Sequence, residues 1–247
     1  MKASVFRRQA SRPLCLAAIA LLFAASSAHA QSVASLFTTL PSDFAHLFTP
    51  TNGLIAGIGG AGALAVHPKD DEIAADIYEP SGRRRDFFRA GASIGDGVEQ
   101  SSFALGTYVV GRVWGKPRIA AAGADLVDAQ IVNGVLTQGL KYASDRQRPD
   151  GGARAFPSGH TSATFATAEV LREHFGWKWG APAYAVGAYV SVSRMVDNKH
   201  WASDVAFGTA IGIISGRAAS VGHVPRRVSI TTSLLPGGIA IFGSLHP

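Results

Sequence analysis

The chain has 247 residues, of which 47% are hydrophobic and 16% charged, and its formal net charge is +6. Residues 1–30 hold four of the 23 basic residues and no acidic one, so the 217 residues that follow carry a net charge of only +2. So small an excess excludes nucleic acid as an expected partner, and this length suits one domain with a single core.

Residues 1–30 have the pattern of a secretory signal peptide. Basic residues precede the apolar run Leu14–Ala25, and residues 28–30 (Ala-His-Ala) are typical of a cleavage site. The apolar run is too short to span a bilayer well, although an uncleaved anchor is the alternative. Because the one cysteine, Cys15, lies in this segment, the mature chain can form no internal disulfide. We therefore predict an exported, periplasmic protein that is soluble or peripheral to the membrane.

The next part of the chain is interpreted as packed helix and exposed turns. Residues 57–62, Gly-Ile-Gly-Gly-Ala-Gly, formally fit the glycine fingerprint for dinucleotides, which requires a preceding strand and a following helix. Neither is evident, so we interpret residues 53–66 as a tightly packed helix whose small-residue face contacts either protein or lipid. Residues 69–72 (Lys-Asp-Asp-Glu) are interpreted as a solvated turn rather than a metal site. Arg83–Arg85 is interpreted as an exposed basic turn, with contact to membrane headgroups as the alternative.

Helical patterns continue from there almost to the C-terminus. We predict helices over Asp86–Gly95, Val98–Val113, Lys116–Arg146, Thr161–Phe175, Ala181–Val196 and Trp201–Gly216. The segment Arg226–Leu245 alternates β-branched residues around Pro236-Gly237-Gly238, which predicts a hairpin. The expected fold class is all-α: a helical bundle of about six core helices with a short C-terminal β-hairpin-like tail.

The turn at residues 157–160 (Pro-Ser-Gly-His) is typical of an anion site. It opens a helix that meets no breaker until Gly176. A helix start presents unpaired backbone N–H groups and partial positive charge. Ser158 adds a hydroxyl, Gly159 lets the backbone approach a ligand closely, and His160 can give up a proton near neutral pH. These features predict half of a phosphate site.

The other half is predicted downstream and upstream of this turn. His200 and Asp204 are four residues apart, so on a helix they share one face. A carboxylate that holds one ring nitrogen of an imidazole fixes its tautomer and leaves the other nitrogen free to attack. Arg194 supplies a forked cation suited to phosphate oxygens, and Lys141 and Arg148 supply two more positive charges.

These residues form three blocks: Lys141, six residues, then Arg148-Pro149; residues 157–160; and Ser193-Arg194, five residues, His200, three residues, then Asp204. Their order and spacing resemble the signature of the type 2 phosphatidic acid phosphatase superfamily. That superfamily also contains bacterial class A acid phosphatases and vanadium haloperoxidases. The blocks cover Lys141–Asp204, and flanking helical patterns extend the resemblance to residues 116–217.

The resemblance implies a metal-independent phosphatase that hydrolyses phosphate monoesters or diphosphates, lipid phosphates included, through a phosphohistidine. In that scheme His200 attacks phosphorus, Asp204 orients the attacking ring, and His160 protonates the leaving oxygen. The implied phosphate-binding residues are Lys141, Arg148, Ser158, Gly159 and Arg194. No cofactor and no metal are expected, and vanadate is expected to bind as a phosphate mimic. Arg146 and Arg154 lie outside the signature, where they either tune substrate choice or face solvent.

Alternatives stay open for function and for location. The same constellation serves vanadate-dependent haloperoxidases, although those are generally much larger chains, and a non-catalytic envelope protein could use the same bundle. Apolar runs near residues 54–66, 181–193 and 205–215 leave a membrane-embedded bundle as the alternative to a soluble or peripheral protein. We expect the chain to consist of three parts: a signal peptide at 1–30, a helical phosphatase domain like those of the type 2 phosphatidic acid phosphatase (PAP2) superfamily at 31–225, and a strand-like tail at 226–247. The expected partner is a phosphorylated small molecule or a lipid phosphate, with contact to a membrane surface.

Overall fold

The computed structural model describes residues 36–221 and 223 with their side chains, and the backbone of residues 228–235 and 238–245. The predicted signal peptide lies outside the described residues. Within them the chain forms ten α-helices: α1 Leu40–His46, α2 Pro50–Val66, α3 Asp70–Ile77, α4 Arg83–Phe88, α5 Ala90–Ile94, α6 Gly97–Val113, α7 Pro117–Ser144, α8 Gly159–Phe175, α9 Trp177–Val196 and α10 Ala202–Ser220. A 3-10 turn, His67–Lys69, joins α2 to α3.

The all-α fold class is confirmed. Six helices of the described part, α2 and α6 to α10, have 17 residues or more and form the bundle. The tail forms two antiparallel strands, β1 Val228–Leu235 and β2 Gly238–Leu245, with Val228 opposite Leu245 and Leu235 opposite Gly238. The two strands lie on either side of residues 236–237, as the predicted hairpin requires.

Several predicted helices have different bounds in the structure; α10, for example, continues beyond Gly216 to Ser220. The single helix expected over residues 86–95 is two short helices, α4 and α5. Helix α9 begins at Trp177, four residues earlier than predicted, so Pro182 lies inside it. A proline there costs the helix one backbone hydrogen bond, which the other turns of a 20-residue helix outweigh.

Local signals fix the helix ends near the predicted site. Pro117 occupies the first turn of α7, where its missing N–H costs nothing. Asp145 ends α7 in the left-handed region, with φ of 39°. Ser158 caps α8, because its side-chain oxygen accepts a hydrogen bond from the Thr161 N–H at 3.5 Å. The loop between Asp145 and Ser158 thus enters and leaves the helices at defined positions.

Helix α8 occupies the centre of the bundle and packs against α7, α9 and α10. The core around it consists of small apolar side chains and a few larger ones: Ala104, Leu126, Ala129, Ala166, Val170 and Ala219. The small side chains at these positions let the helix axes approach closely.

Glycines on α10 bring it into contact with α8. They recur at four-residue intervals, which places them along one face of α10. A Cβ on Gly208, Gly212 or Gly216 would lie 2.8, 2.3 or 2.6 Å from the carbonyl oxygens of Ser158, Ser162 and Ala166. Only glycine permits this approach, and it holds the start of α10 against the start of α8. The two halves of the predicted site lie at these two helix starts.

The glycine-rich residues 57–62 lie inside α2 and not in a strand–turn–helix unit. A Cβ on Gly59 would lie 2.2 Å from the Ala210 side chain, so the small-residue face packs on α10 as predicted. The opposite face exposes the large apolar side chains of Leu54, Ile58 and Leu64. Helix α2 therefore has one packed face and one apolar face without a partner among the described residues.

Among the described helices, α7 alone has the length and composition to cross a membrane. It is also a core helix, because Asp125, Asp128, Asn133 and Lys141 on it are all buried against other helices. Buried polar groups of this kind need partners within the protein.

Candidate active site

A cavity of about 400 Å³ lies between α6, α7, α8 and the neighbouring ends of α9 and α10. Its wall includes six of the residues predicted for the site: Lys141, Arg148, Gly159, His160, Arg194 and His200. The remaining two, Ser158 and Asp204, are fully buried next to these, and the Ser158 N–H donates to the Asp204 carbonyl at 3.0 Å. The structure therefore brings all the predicted residues together, although they come from four segments of the chain.

Lys141 reaches the cavity from the last turn of α7. It is 8% exposed, and its Nζ donates to the Arg154 carbonyl at 2.7 Å. Burial and, to a smaller extent, the nearby Arg148 cation lower the pKa of Lys141 to about 8, while Asp204 opposes them. An anion in the cavity would favour the charged ammonium, so Lys141 is suited to hold a phosphate oxygen.

The two arginines of the cavity have N–H groups without partners. Arg194 donates from Nη1 to Asp197 Oδ2 at 3.1 Å, but its Nε is buried without a hydrogen-bond partner among the described residues. Arg148 Nε is buried without a partner in the same way. Since an unpaired buried donor is costly, these groups are placed to bind an oxyanion.

His200 is 4% exposed and presents one side of its ring to the cavity. Its Nδ1 lies 3.6 Å from Asp204 Oδ2, which is longer than a hydrogen bond, so Asp204 acts on the ring chiefly through its charge. Burial lowers the pKa of His200, with Lys141 and Arg148 adding to the effect and Asp204 opposing it. The ring is therefore neutral near pH 7, which is the state that an attacking nitrogen requires.

His160 also lines the cavity, from the first turn of α8. Burial lowers its pKa to about 4, and Arg194 and His200 act in the same direction, while Asp96 opposes them. A ring in this state is neutral near pH 7. It has to gain a proton when an anion binds before it can act as an acid.

Two residues near the site do not have the surroundings that the sequence suggested. Asp70 was expected in a solvated turn, and that prediction is wrong: it is 4% exposed and accepts a hydrogen bond from Arg146 Nη2 at 2.7 Å. Arg146 does not face solvent, because its Nη1 also donates to Asp204 Oδ1 at 2.7 Å. These partners are 76 and 58 residues away along the chain, so no local pattern could have indicated them.

The described residues hold no group of three or more His, Cys, Asp or Glu side chains placed to bind a metal ion. The donors around the cavity are N–H groups and cations, which suit an anion and not a cation.

The fold and the cavity together define an all-α bundle with an oxyanion site between its helices. Residues 122–227 match the family model described as the PAP2 superfamily, which confirms the resemblance noted in the sequence. A 107-residue segment is 37% identical to a lipid A 1-phosphatase of Porphyromonas gingivalis, covering 42% of this chain and 23% of that protein. The matched segment thus spans about a quarter of this curated relative.

Two solved structures are similar in fold. The crystal structure of Aquifex aeolicus LpxE has a TM-score of 0.50 and 23% sequence identity, and covers 61% of this chain and 93% of its own. The first transmembrane PAP2 type phosphatidylglycerolphosphate phosphatase from Bacillus subtilis has a TM-score of 0.49 and 20% identity, and covers 76% and 93%. At this identity the likeness to LpxE concerns the fold alone.

Proposed function

We propose that the chain is a phosphoric ester hydrolase that removes phosphate from a lipid through a phosphohistidine on His200. The observation that carries this proposal is the neutral, buried His200 facing a cavity that Lys141, Arg148 and Arg194 also line. The similarity to a lipid A 1-phosphatase and the PAP2 family match support a lipid phosphate as substrate.

In the proposed reaction the His200 Nε2 attacks phosphorus, because Nδ1 faces Asp204. A P–N bond forms while the bond from phosphorus to the leaving oxygen breaks, and that oxygen takes a proton from His160. Water then attacks the phosphohistidine and gives a proton back to His160, and the P–N bond breaks to release phosphate. The three cations hold the equatorial oxygens, where charge is concentrated during transfer.

The rest of the cavity wall favours a polar leaving group. Away from the cations it is lined by amides and hydroxyls of α6 and α7: Ser101, Gln130, Asn133, Thr137 and Gln138. Asn133 is 4% exposed, and its Oδ1 has no hydrogen-bond partner among the described residues. This carbonyl can accept a bond from a hydroxyl next to the scissile phosphate. We therefore infer a lipid whose phosphate is carried on a sugar or another hydroxyl-rich headgroup, with its acyl chains outside the cavity.

The acyl chains would stay at a membrane surface, which suits the exposed apolar face of α2. Leu54, Ile58 and Leu64 are 65%, 65% and 74% exposed. We propose a protein exported to the periplasm that touches the membrane there. Alkaline carbonate washing of isolated membranes tests this, because it releases a peripheral protein and leaves a membrane-embedded bundle behind.

The chemical proposal is tested by trapping the intermediate. Purified protein is mixed with p-nitrophenyl phosphate or with phosphatidic acid in detergent micelles. The reaction is then quenched with alkali, which preserves phosphohistidine, and phosphopeptides are mapped by mass spectrometry. We expect the phosphate on His200 and no phosphoenzyme in His200→Asn. A phosphate on another residue, or turnover by His200→Asn, would overturn the mechanism.

The leaving-group inference needs a comparison of substrates. Asn133→Ala is expected to lower kcat/KM about tenfold for a glycosyl 1-phosphate, the loss of one good hydrogen bond, and little for p-nitrophenyl phosphate. Equal losses on both substrates would remove Asn133 from headgroup recognition.

A further inference from the structure

The guanidinium of Arg146 lies between two buried carboxylates. Its Nη1 donates to Asp204 Oδ1 and to Ser203 Oγ, each at 2.7 Å, and its Nη2 donates to Asp70 Oδ2 at 2.7 Å. The side chains of Asp204 and Asp70 are 0% and 5% exposed, whereas that of Arg146 is 22% exposed. One cation is thus shared by two anions in a largely dehydrated place, where charge–charge effects are strong.

Asp70 is held in place independently of Arg146. Its Oδ1 accepts a hydrogen bond from the Ser203 N–H at 3.0 Å, its Oδ2 accepts one from the Ser203 hydroxyl, and His67 Nδ1 lies 3.0 Å from Oδ2. Burial acts to raise the pKa of Asp70, but the bonds from Ser203 and Arg146 outweigh it and hold that pKa below its ordinary value. Asp70 is therefore a fixed negative charge behind Arg146. It lies outside the segment that matches the family model, residues 122–227.

Asp204 is in turn fixed on three sides. Oδ1 binds Arg146, while Oδ2 accepts the Trp201 N–H at 2.9 Å and lies 3.6 Å from His200 Nδ1. The carboxylate cannot turn towards the imidazole without breaking these bonds. Its charge is consequently divided between the guanidinium and the ring.

We propose that Arg146 is a positioning residue: together with Asp70, to which it is also bonded, it sets how strongly the Asp204 charge acts on His200. This inference rests on the proposed role of His200 as nucleophile. The other charged or titratable groups that face this pair are Lys141 from α7, Arg148 from the loop, His160 from α8 and His67 beside Asp70. Among the described residues, none of these is hydrogen-bonded to both Asp204 and Asp70, so Arg146 is the cation that links the two carboxylates.

The two ends of the bridge act in opposite directions. Removing the Arg146 charge leaves the Asp204 charge less compensated, which raises the proton affinity of the His200–Asp204 pair whichever of the two takes the proton. Removing the Asp70 charge instead directs the whole guanidinium charge at Asp204, which lowers the proton affinity of the pair. A residue that merely supports the fold would not give effects of opposite sign.

The test measures kcat against pH with p-nitrophenyl phosphate for Arg146→Met, Asp70→Asn and the double variant. The acidic limb, where protonation removes the nucleophile, is expected to move up by about one pH unit in Arg146→Met, a shift typical of a charge at this distance. It is expected to move down in Asp70→Asn and to return close to the wild-type position in the double variant. Arg146→Lys should keep the limb near its wild-type position and lower kcat. Arg89→Met, which removes an exposed cation paired to Asp86, is the matched control and should leave the profile unchanged.

A titration of the His200 ring by NMR in histidine-labelled protein gives a readout that does not need turnover, with His200→Asn to assign the signal. The same opposite shifts are expected there. If the pKa of His200 is the same in the variants as in the wild type, or if kcat falls equally at every pH, the role of Arg146 is overturned even if the phosphohistidine forms. Shifted titrations without any phosphoenzyme would overturn the proposed function and leave the bridge intact. Should Arg146→Met fail to fold, Asp70→Asn, which keeps the shape of the side chain, still decides the sign.

Discussion

His160 has to change its protonation when an anion binds, and this coupling can be measured. With a pKa of about 4, only about one ring in a thousand is protonated at pH 7. After burial, the largest cause of the low pKa is Arg194, and Arg148 contributes in the same direction. A dianion bound between these arginines neutralises them, so we expect it to raise the pKa of His160 towards 7.

The magnitude follows from linkage. A rise of about three pKa units corresponds to about 4 kcal/mol of coupling between the proton and the anion. Between the two pKa values, binding takes up one proton, so the Kd of the anion should increase about tenfold for each unit of rising pH. Sulfate is a suitable probe, because it stays a dianion throughout this range while phosphate does not.

The assay is calorimetric titration of the protein with sulfate between pH 4.5 and 7. This window avoids the Lys141 ammonium, whose pKa is about 8. His160→Asn should remove the slope, whereas His200→Asn should keep most of it and thereby control for protonation of the second ring. An unchanged slope in His160→Asn would refute the coupling and, with it, the role of His160 as the acid.

Three further predictions follow from the site and the core. His200→Asn is expected to lose turnover altogether in a phosphate-release assay while still binding sulfate. Turnover by this variant above the background rate would contradict the assignment of His200 as nucleophile. Incubation with EDTA should leave activity intact, and activity restored only by an added divalent metal would contradict metal-independent chemistry. Asp43 is 0% exposed, and burial together with Asp128 raises its pKa to about 7. Its ionisation therefore leaves the free energy of unfolding unchanged below pH 4 and lowers it by up to about 4 kcal/mol above pH 7. Asp43→Asn should accordingly raise the free energy of unfolding at pH 8 and not at pH 4, as measured by urea denaturation, and equal changes at both values would contradict this.

The sequence predicts the bundle well where short-range signals decide it. The bounds of α6, α7 and α8 agree within two residues with those expected, because apolar periodicity and caps such as Pro117 and Ser158 act over one or two turns. The start of α9 was placed at Ala181, four residues too late, because the apolar pattern used for the prediction does not include the first turn at Trp177. That the site residues lie close together was predicted from the order and spacing of the three sequence blocks. No pattern in the sequence indicated the individual contacts between them.

The sequence does not show which residues form hydrogen bonds with partners far along the chain. Lys69-Asp70-Asp71-Glu72 has the composition of a solvated turn, and Asp71 and Glu72 are indeed exposed. Asp70 alone turns inward, because Arg146 and Ser203 offer it three hydrogen bonds there. Burial of one carboxylate in an acidic run depends on partners far along the chain, and a single sequence does not show which residues those are.

The hydrogen bonds distinguish arginines that the sequence separates only through the family resemblance. Arg146 and Arg148 are two residues apart in the same loop, yet Arg146 makes three bonds to buried partners while Arg148 Nε has none among the described residues. Arg194 Nε resembles Arg148 in this respect. The Nη groups of Arg146 are already bound to buried protein partners, whereas a buried cation with an unused donor gains a hydrogen bond when an anion arrives. This pattern favours Arg148 and Arg194 as the phosphate-binding arginines and agrees with the proposed role of Arg146 as a partner of Asp204.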